Sequence, residues 1–436
     1  MKRYFIQTWG CQMNAHDSEK MAGVLAARGY TPAAGAAEAD VILLNTCSVR
    51  AGAEHKVFSE LGRLRLLKQQ NPDLVIGVCG CVAQQEGETI FRRAPHVDLV
   101  MGPRAIARLD EMLDEARRDG RSISLVRDGD PIVFPSRTTA RGAGPRAWVT
   151  VMEGCNKSCA YCIVPYTRGR EAYRPAQAII EEVADLSMNG FSEIELLGQN
   201  VNAWHDGSDD FAGLLHQVDR VPGVRRVRFT TSHPGHLKDA IMDSMAALPT
   251  VCNHLHLPAQ SGSDRILRAM ERGYTRARYL SKIAYLRKRI AGMAFSTDII
   301  VGFPGETEAD FQETLSLMRE VEFDQVYAFM FSPRPGTPAA RLETLIPEAE
   351  KEARLQVVLA LQGEIQLRRH ESLVGREFEV LIDGMGRLDN GLLKGRTRCN
   401  RIVHLPADGL ETGRYVDARI VRAAAHSLQG TPTTAA

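Results

Sequence analysis

An apolar, strand-like run at residues 147–152 opens directly onto a loop carrying Cys155, Cys159 and Cys162. The spacing is C-x3-C-x2-C, three thiols within eight residues. Thiolates are soft ligands suited to zinc or iron–sulfur clusters. A closed structural zinc site wants four ligands, usually on two separated knuckles. Three cysteines on one tight loop, with no fourth Cys or His close by in sequence, suit instead a cubane whose fourth iron is left open for chemistry. The competing reading is a structural zinc loop or three cysteines lining a core. The C-terminal end of a strand is also where parallel α/β folds place their active sites. The motif therefore constrains the fold class as well as the cofactor class.

The preceding residues obey that fold class. Residues 1–118 alternate apolar runs at 3–8, 41–44, 74–78 and 97–101 with helical stretches at 17–28, 53–69 and 104–117. Met21, Val24 and Leu25 share one helix face, and Val57, Leu61, Leu64 and Leu67 share another. Continuous apolar strands are expected where both faces of a parallel sheet are covered. Cys11, Cys47 and Cys81 each fall just after a strand, and loops after parallel strands share one sheet edge. Position alone leaves two readings: a second three-thiolate set, or cysteines buried as small hydrophobes. Cys79 rivals Cys81 as a ligand, since both face the same side if the strand continues. Cys81 is preferred because it lies past Gly80, in the turn. Cys252 and Cys399 have no partner at ligand spacing and read as structural.

Turn formers punctuate residues 119–146, the expected linker, whose Arg137, Arg141 and Arg146 read as solvated or as facing a polyanion. Residues 147–371 repeat strand and helix, with strands at 147–152, 193–197, 226–229, 253–257, 294–301 and 325–329. Six repeats predict a partial (β/α)6 TIM-like barrel, open at its mouth, with strand-end turns such as Gly198-Gln199-Asn200 and Gly302-Phe303-Pro304-Gly305 on the ligand face. His254 and His256 share a strand face but lack a third ligand, and read as satisfied pocket histidines. Residues 372–436 hold short strands between Gly and Asp turns, which predicts a small OB-like β-barrel. Between Met385 and Val403, Arg387, Lys394, Arg396, Arg398 and Arg401 stand against one acid, Asp389, a local basic patch concealed by a net charge of +1. Such a patch suits an RNA backbone, with a solvated face as the alternative.

Length and composition set the outer bounds. A chain of 436 residues exceeds one ordinary core. No apolar run is long enough to span a bilayer, and Met1-Lys2-Arg3-Tyr4 opens no signal peptide. Nine cysteines in such a chain argue for metal or catalytic thiols over disulfides, and a cytoplasmic location away from oxidants is expected.

The stretch Cys155-Asn156-Lys157-Ser158-Cys159-Ala160-Tyr161-Cys162 resembles the signature of the radical S-adenosylmethionine (SAM) superfamily. Four further stretches carry a narrower resemblance: Asn45-Thr46-Cys47-Ser48-Val49-Arg50, Gly80-Cys81-Val82-Ala83-Gln84, Cys162-Ile163-Val164-Pro165-Tyr166-Thr167-Arg168-Gly169 and Phe331-Ser332-Pro333-Arg334-Pro335-Gly336-Thr337. With Gly198-Gln199-Asn200-Val201-Asn202 they resemble the methylthiotransferase family across nearly the whole chain. The tail, including Gly395-Arg396-Thr397, resembles a TRAM domain. One local departure is Tyr173, where the family pattern leads one to expect Ser before Arg174.

The resemblance implies two [4Fe-4S] clusters. One, on Cys155, Cys159 and Cys162, cleaves SAM to a 5′-deoxyadenosyl radical. The other, on Cys11, Cys47 and Cys81, carries the sulfur. It further implies SAM contacts at Tyr161, Gly198, Gln199, Asn200, Asp298 and Gly302. RNA contacts are expected at Lys394, Arg396, Arg398 and Arg401. The implied reaction adds a methylthio group to carbon 2 of an adenosine that already carries N6-dimethylallyl, in a tRNA anticodon stem-loop. A flavodoxin- or ferredoxin-like reductant, a monomer and no membrane are expected. The alternatives are a sister methylthiotransferase acting on threonylcarbamoyladenosine or on a ribosomal protein, and a non-catalytic iron–sulfur RNA-binding module.

Overall fold

The structure is a computed structural model that describes all residues except 49–51, 127–133, 135–138, 143, 344, 387–390, 408 and 434–436, and leaves the side chains of 53 and 54 undescribed. Val49, Arg50, Arg137, Arg387 and Asp389, and part of the expected linker, lie outside the described residues. The chain divides into two compact units: residues 1–142, 152–157 and 162–172 form one, and residues 143–151, 158–161 and 173–436 the other.

The first unit is a six-stranded sheet in the order β2-β1-β3-β4-β5-β6. Its strands are β1 (Arg3–Trp9), β2 (Thr31–Pro32), β3 (Val41–Thr46), β4 (Val75–Gly80), β5 (Leu99–Met101) and β6 (Ser122–Ser124), all paired in parallel. Ile42, Leu44, Ile76 and Val78 pack on one face against Val57, Leu61 and Leu64 of the helix Ala53–Gln70. Val41, Leu43 and Val75 pack on the other against Met21 and Leu25 of the helix Gln12–Ala27 and Leu109, Met112 and Leu113 of Leu109–Asp119. Side chains alternate across a strand, so covering both faces requires an unbroken apolar run. The helix expected from residue 17 begins at Gln12. The two outer strands, β2 and β6, are two and three residues long and too short to register as a pattern.

The second unit holds β7 (Arg146–Thr150), β10 (Glu193–Leu197), β11 (Arg226–Phe229), β12 (His254–His256), β13 (Ala294–Val301) and β14 (Gln325–Met330). Two short strands, β8 (Met152–Glu153) and β9 (Ala172–Tyr173), flank the cysteine loop in sequence. The six longer strands form two parallel ladders, β11-β10-β7 and β12-β13-β14, joined through the bridge Val227–Val251. Helices follow the strands, as right-handed parallel crossovers require. The closing helix runs Glu348–Glu371.

The tail is a closed barrel of β15 (Glu377–Met385), β16 (Leu392–Thr397), β17 (Ile402–Pro406), β18 (Tyr415–Ala423) and β19 (Leu428–Pro432), ordered β15-β16-β17-β19-β18. Val380, Ile382, Val403, Leu405, Ala418 and Ile420 fill it. Among the described residues no helix is long and apolar enough to cross a membrane.

Candidate active site

In the first unit β1, β3 and β4 lie side by side with their last residues aligned: Trp9 pairs with Thr46, and Thr46 with Gly80. Each strand meets a cysteine within two residues of that line. Cys11 stands at the N-cap of Gln12–Ala27, the Cys47 amide donates to the Trp9 carbonyl at 3.0 Å, and Cys81 opens the helix Cys81–Glu86. Gly80 is required at the last turn. Its φ is +88°, and a Cβ there would lie 2.6 Å from the Thr46 carbonyl oxygen.

Two asparagines tie the first two turns together. Asn14 Oδ1 accepts from Cys11 Sγ at 3.2 Å, and its Nδ2 donates to the Thr46 carbonyl at 3.3 Å. Asn45 Nδ2 donates to the Asn14 carbonyl at 2.7 Å. A hydrogen bond with Cys47, helped by the charge of Arg168, pulls the Cys11 thiol down to about 6. Burial pushes Cys81 the other way, against Arg168. Cys79 packs into the apolar core with Leu43 and Leu99, and burial pushes its thiol far up.

Arg168 ends the short helix Val164–Arg168 that follows Cys162. It is buried, donates from Nη2 to Asp17 Oδ2 at 2.5 Å, and faces Cys81 and Cys11 electrostatically. Lys20 stands 3.5 Å from Glu153 and 3.8 Å from Asp17. Each buried carboxylate here therefore has a cation, as the cost of an unpaired buried charge demands.

Among the described residues no three His, Cys, Asp or Glu side chains are arranged to hold a single metal ion. A cubane makes a different demand, because each cysteine takes a different iron and its ligands stand farther apart. Three cysteines at one edge, one of them shifted toward thiolate beside a buried cation, fit that demand.

The loop after β8 is seated by backbone contacts. The Cys155 amide donates to the Gly169 carbonyl at 3.1 Å. Gly154, with φ +81°, lies so close to the following chain that a Cβ would sit 2.1 Å from the Arg170 carbonyl oxygen. In the second unit Ala160 is held at both backbone groups, its amide by the Met270 carbonyl at 3.1 Å and its carbonyl by the Ala339 amide at 2.8 Å. Tyr161 packs on the cluster of Ala160, Ile266, Met270, Phe303 and Phe331. Cys159 is buried and accepts a hydrogen bond from Arg272 Nη1 at 3.2 Å. Sequence reasoning missed Arg272. It lies in a turn 113 residues away, and only its burial marks it out.

Gly198, Gln199 and Asn200 directly follow β10, and Asn200 Nδ2 lies 3.1 Å from His236 Nδ1. Asp298, on β13, lies 3.6 Å from His256 Nε2. Ser296 Oγ bridges His254 and His256 at 3.1 and 3.0 Å, so both histidines are satisfied as expected. Gly302 differs from the expectation of a backbone open to a ligand. Its amide donates to Glu306 Oε2 at 2.7 Å, and a Cβ would lie 2.2 Å from Lys351 Cγ. Internal packing requires that glycine.

The basic residues of the tail have partners within the protein. Arg398 donates to the carbonyls of Pro249 and Val251 at 2.7 and 2.8 Å, Arg401 pairs with Asp324, and Arg396 and Lys394 pair with Asp383 at 3.1 and 3.3 Å. Arg398 and Arg401 thus reach residues that precede β12 and β14. From the other side, Arg228 donates to the Thr397 and Arg398 carbonyls at 2.8 and 2.9 Å, and Arg226 donates to the Arg396 carbonyl at 2.8 Å. Arg398 and Arg401, with Arg226 and Arg228, fasten the small barrel to the N-terminal ends of the strands, while Lys394 and Arg396 pair with Asp383 inside the barrel itself.

A partial parallel barrel with a C-x3-C-x2-C loop after its first long strand defines a class, and the chain is a radical SAM enzyme. Residues 149–318 match the Radical SAM superfamily, residues 3–102 the uncharacterized protein family UPF0004 and residues 371–433 the TRAM domain. A radical SAM methyltransferase, TsrM, from Kitasatospora setae shares the fold at a TM-score of 0.57 and 14% identity, over 78% of this chain and 74% of that one. Over 443 residues the chain is 48% identical to the tRNA-2-methylthio-N(6)-dimethylallyladenosine synthase of Chromobacterium violaceum, covering 100% of this chain and 99% of the relative. The synthase of the same name from Alkalilimnicola ehrlichii is 48% identical over 98% of this chain and 97% of its own. The chain belongs to the tRNA-2-methylthio-N(6)-dimethylallyladenosine synthase family.

Proposed function

We propose that this chain transfers a methylthio group to carbon 2 of N6-(dimethylallyl)adenosine beside the anticodon of tRNA. The observation that carries the reading is the second set of cysteines, Cys11, Cys47 and Cys81, aligned at one sheet edge in a chain that also bears the radical SAM loop. An unreactive C–H bond needs a radical, and a sulfur donor needs a site of its own. When bound, a [4Fe-4S] cluster on Cys155, Cys159 and Cys162 supplies the electron that cleaves SAM. Cys11, Cys47 and Cys81 would hold a second cluster, with Arg168, oriented by Asp17, supplying positive charge beside it.

Tyr161, Gly198, Gln199, Asn200 and Asp298 are the proposed SAM contacts. The tRNA backbone meets the TRAM barrel at the exposed Arg376, Arg414 and Arg422, since the inward arginines are already engaged. The proposed domains are 1–118, 119–146, 147–371 and 372–436. The enzyme works in the cytoplasm as a monomer with a flavodoxin- or ferredoxin-like reductant.

Mass spectrometry of tRNA nucleosides from a deletion strain tests the reading. The 2-methylthio-dimethylallyl nucleoside should vanish and its unsulfurated precursor accumulate. Persistence of the modified nucleoside would refute the assignment. Anaerobic incubation with SAM and dithionite should yield 5′-deoxyadenosine, which a non-catalytic RNA-binding module would not make.

A further inference from the structure

We propose that Arg272 is a positioning residue of the radical SAM cluster: it donates an N–H···S hydrogen bond to Cys159 and supplies the buried positive charge that favours the cluster's reduction. The inference rests on the reading of Cys159 as a cluster ligand. Six arginines are buried among the described residues: Arg168, Arg174, Arg226, Arg228, Arg272 and Arg354. Five of them pair with carboxylates, namely Asp17, Glu182, Glu193 (twice) and Glu306. No carboxylate among the described residues pairs with Arg272.

Its three donor directions run instead from Nε to Tyr274 Oη at 3.1 Å, from Nη2 to the Pro258 carbonyl at 3.2 Å and from Nη1 to Cys159 Sγ at 3.2 Å. Tyr274 is itself locked, because its hydroxyl donates toward the Ala259 carbonyl at 2.8 Å. The guanidinium plane is therefore fixed, 5.3 Å from the Tyr274 ring centroid, and Cys159 is its one hydrogen-bond acceptor other than oxygen among the described residues. An arginine buried without a counter-ion is costly. A thiolate belonging to an anionic cluster supplies that counter-ion. Charge and hydrogen bonds at the sulfurs are among the determinants of cluster potential. Lysine cannot reproduce three fixed donor directions from one planar group.

The test is a potentiometric titration of the reconstituted holoenzyme, following the EPR signal that SAM perturbs. R272Q should lower the reduced-to-oxidised ratio at the wild-type midpoint at least tenfold, a shift of about 59 mV to more negative potential. R272K, which keeps the charge and one donor, should fall between the two. A fully loaded R272Q with the wild-type midpoint overturns the proposal. If R272Q folds but shows no SAM-sensitive signal, R272K decides: a shifted midpoint supports the proposal, and a wild-type midpoint or a lost signal overturns it. A wild-type enzyme without any SAM-sensitive signal would sink the radical SAM reading itself, which keeps the two failures apart.

Discussion

Two cysteines two residues apart meet opposite fates at the end of β4. Cys79 is inside the strand and packs into the core, while Cys81 begins a helix beside Arg168. Cys81→Ala should abolish methylthio transfer and leave 5′-deoxyadenosine production intact, whereas Cys155→Ala should stop both. Cys79→Ala should keep transfer and lose about 1 kcal/mol of stability in urea unfolding, as a small buried truncation does. A Cys79→Ala enzyme that folds normally and transfers nothing would reverse the ligand assignment.

His254 gives a pH signature. Burial, then the charges of Arg228 and His256, hold its imidazole well below the ordinary 6.5. Below that value the unfolded chain takes up a proton that the folded chain refuses, so stability falls as pH drops. The slope approaches about 1.4 kcal/mol per pH unit. Above 6.5 both states are neutral and the contribution is flat. Thermal melts between pH 7.5 and 5.5 should show the decline, and His254→Asn should remove this component. The six candidate cysteines were legible because turn position and spacing are local properties. Arg272 and the inward turn of Arg398 were not, because each depends on what lies opposite in space.

At the scale of elements, Glu193 sits at the start of β10, fully buried, with Arg146, Arg226 and Arg228 around it. Burial opposes its ionisation, but Arg228 and Arg146 more than offset that, and its carboxyl lies below the usual range. Glu193→Ala leaves three arginines without their shared anion. The expected loss is about 3–5 kcal/mol, read by urea denaturation, with the tail becoming sensitive to limited proteolysis. The alternation Glu-Ile-Glu-Leu-Leu marked β10 as a strand; that its charged face turns inward toward buried arginines was not legible. Strand β19, Leu428-Gln429-Gly430-Thr431-Pro432, was missed for a local reason. Gly and Pro are depleted in strands, and only closure of the barrel between β17 and β18 gives the segment its partners.

At the scale of the molecule, the radical SAM barrel and the TRAM barrel share one compact unit. Arg226 and Arg228 find acceptors on the TRAM side, and Arg398 and Arg401 find theirs on the other. Truncation after residue 371 should therefore do more than weaken tRNA binding. It should uncover buried guanidinium groups, lower the melting temperature of what remains and reduce its soluble yield. A truncated enzyme that melts like the full chain would mean that the fastening is dispensable.

The level line formed by Trp9, Thr46 and Gly80 also bears on how such a chain tolerates growth. Each thiol is placed by counting forward from a strand end, so the turns that lead from helices into the strands at the far edge of the sheet carry no positional information for the cysteines. The exposed turn Asn71-Pro72-Asp73 can accept a spliced peptide of arbitrary length without displacing a sulfur. Loss of one residue inside Val41–Thr46 would instead turn the strand over and carry Cys47 to the wrong face. Lineages and engineers alike have one permissive margin of this sheet to write on, and one that must keep its length.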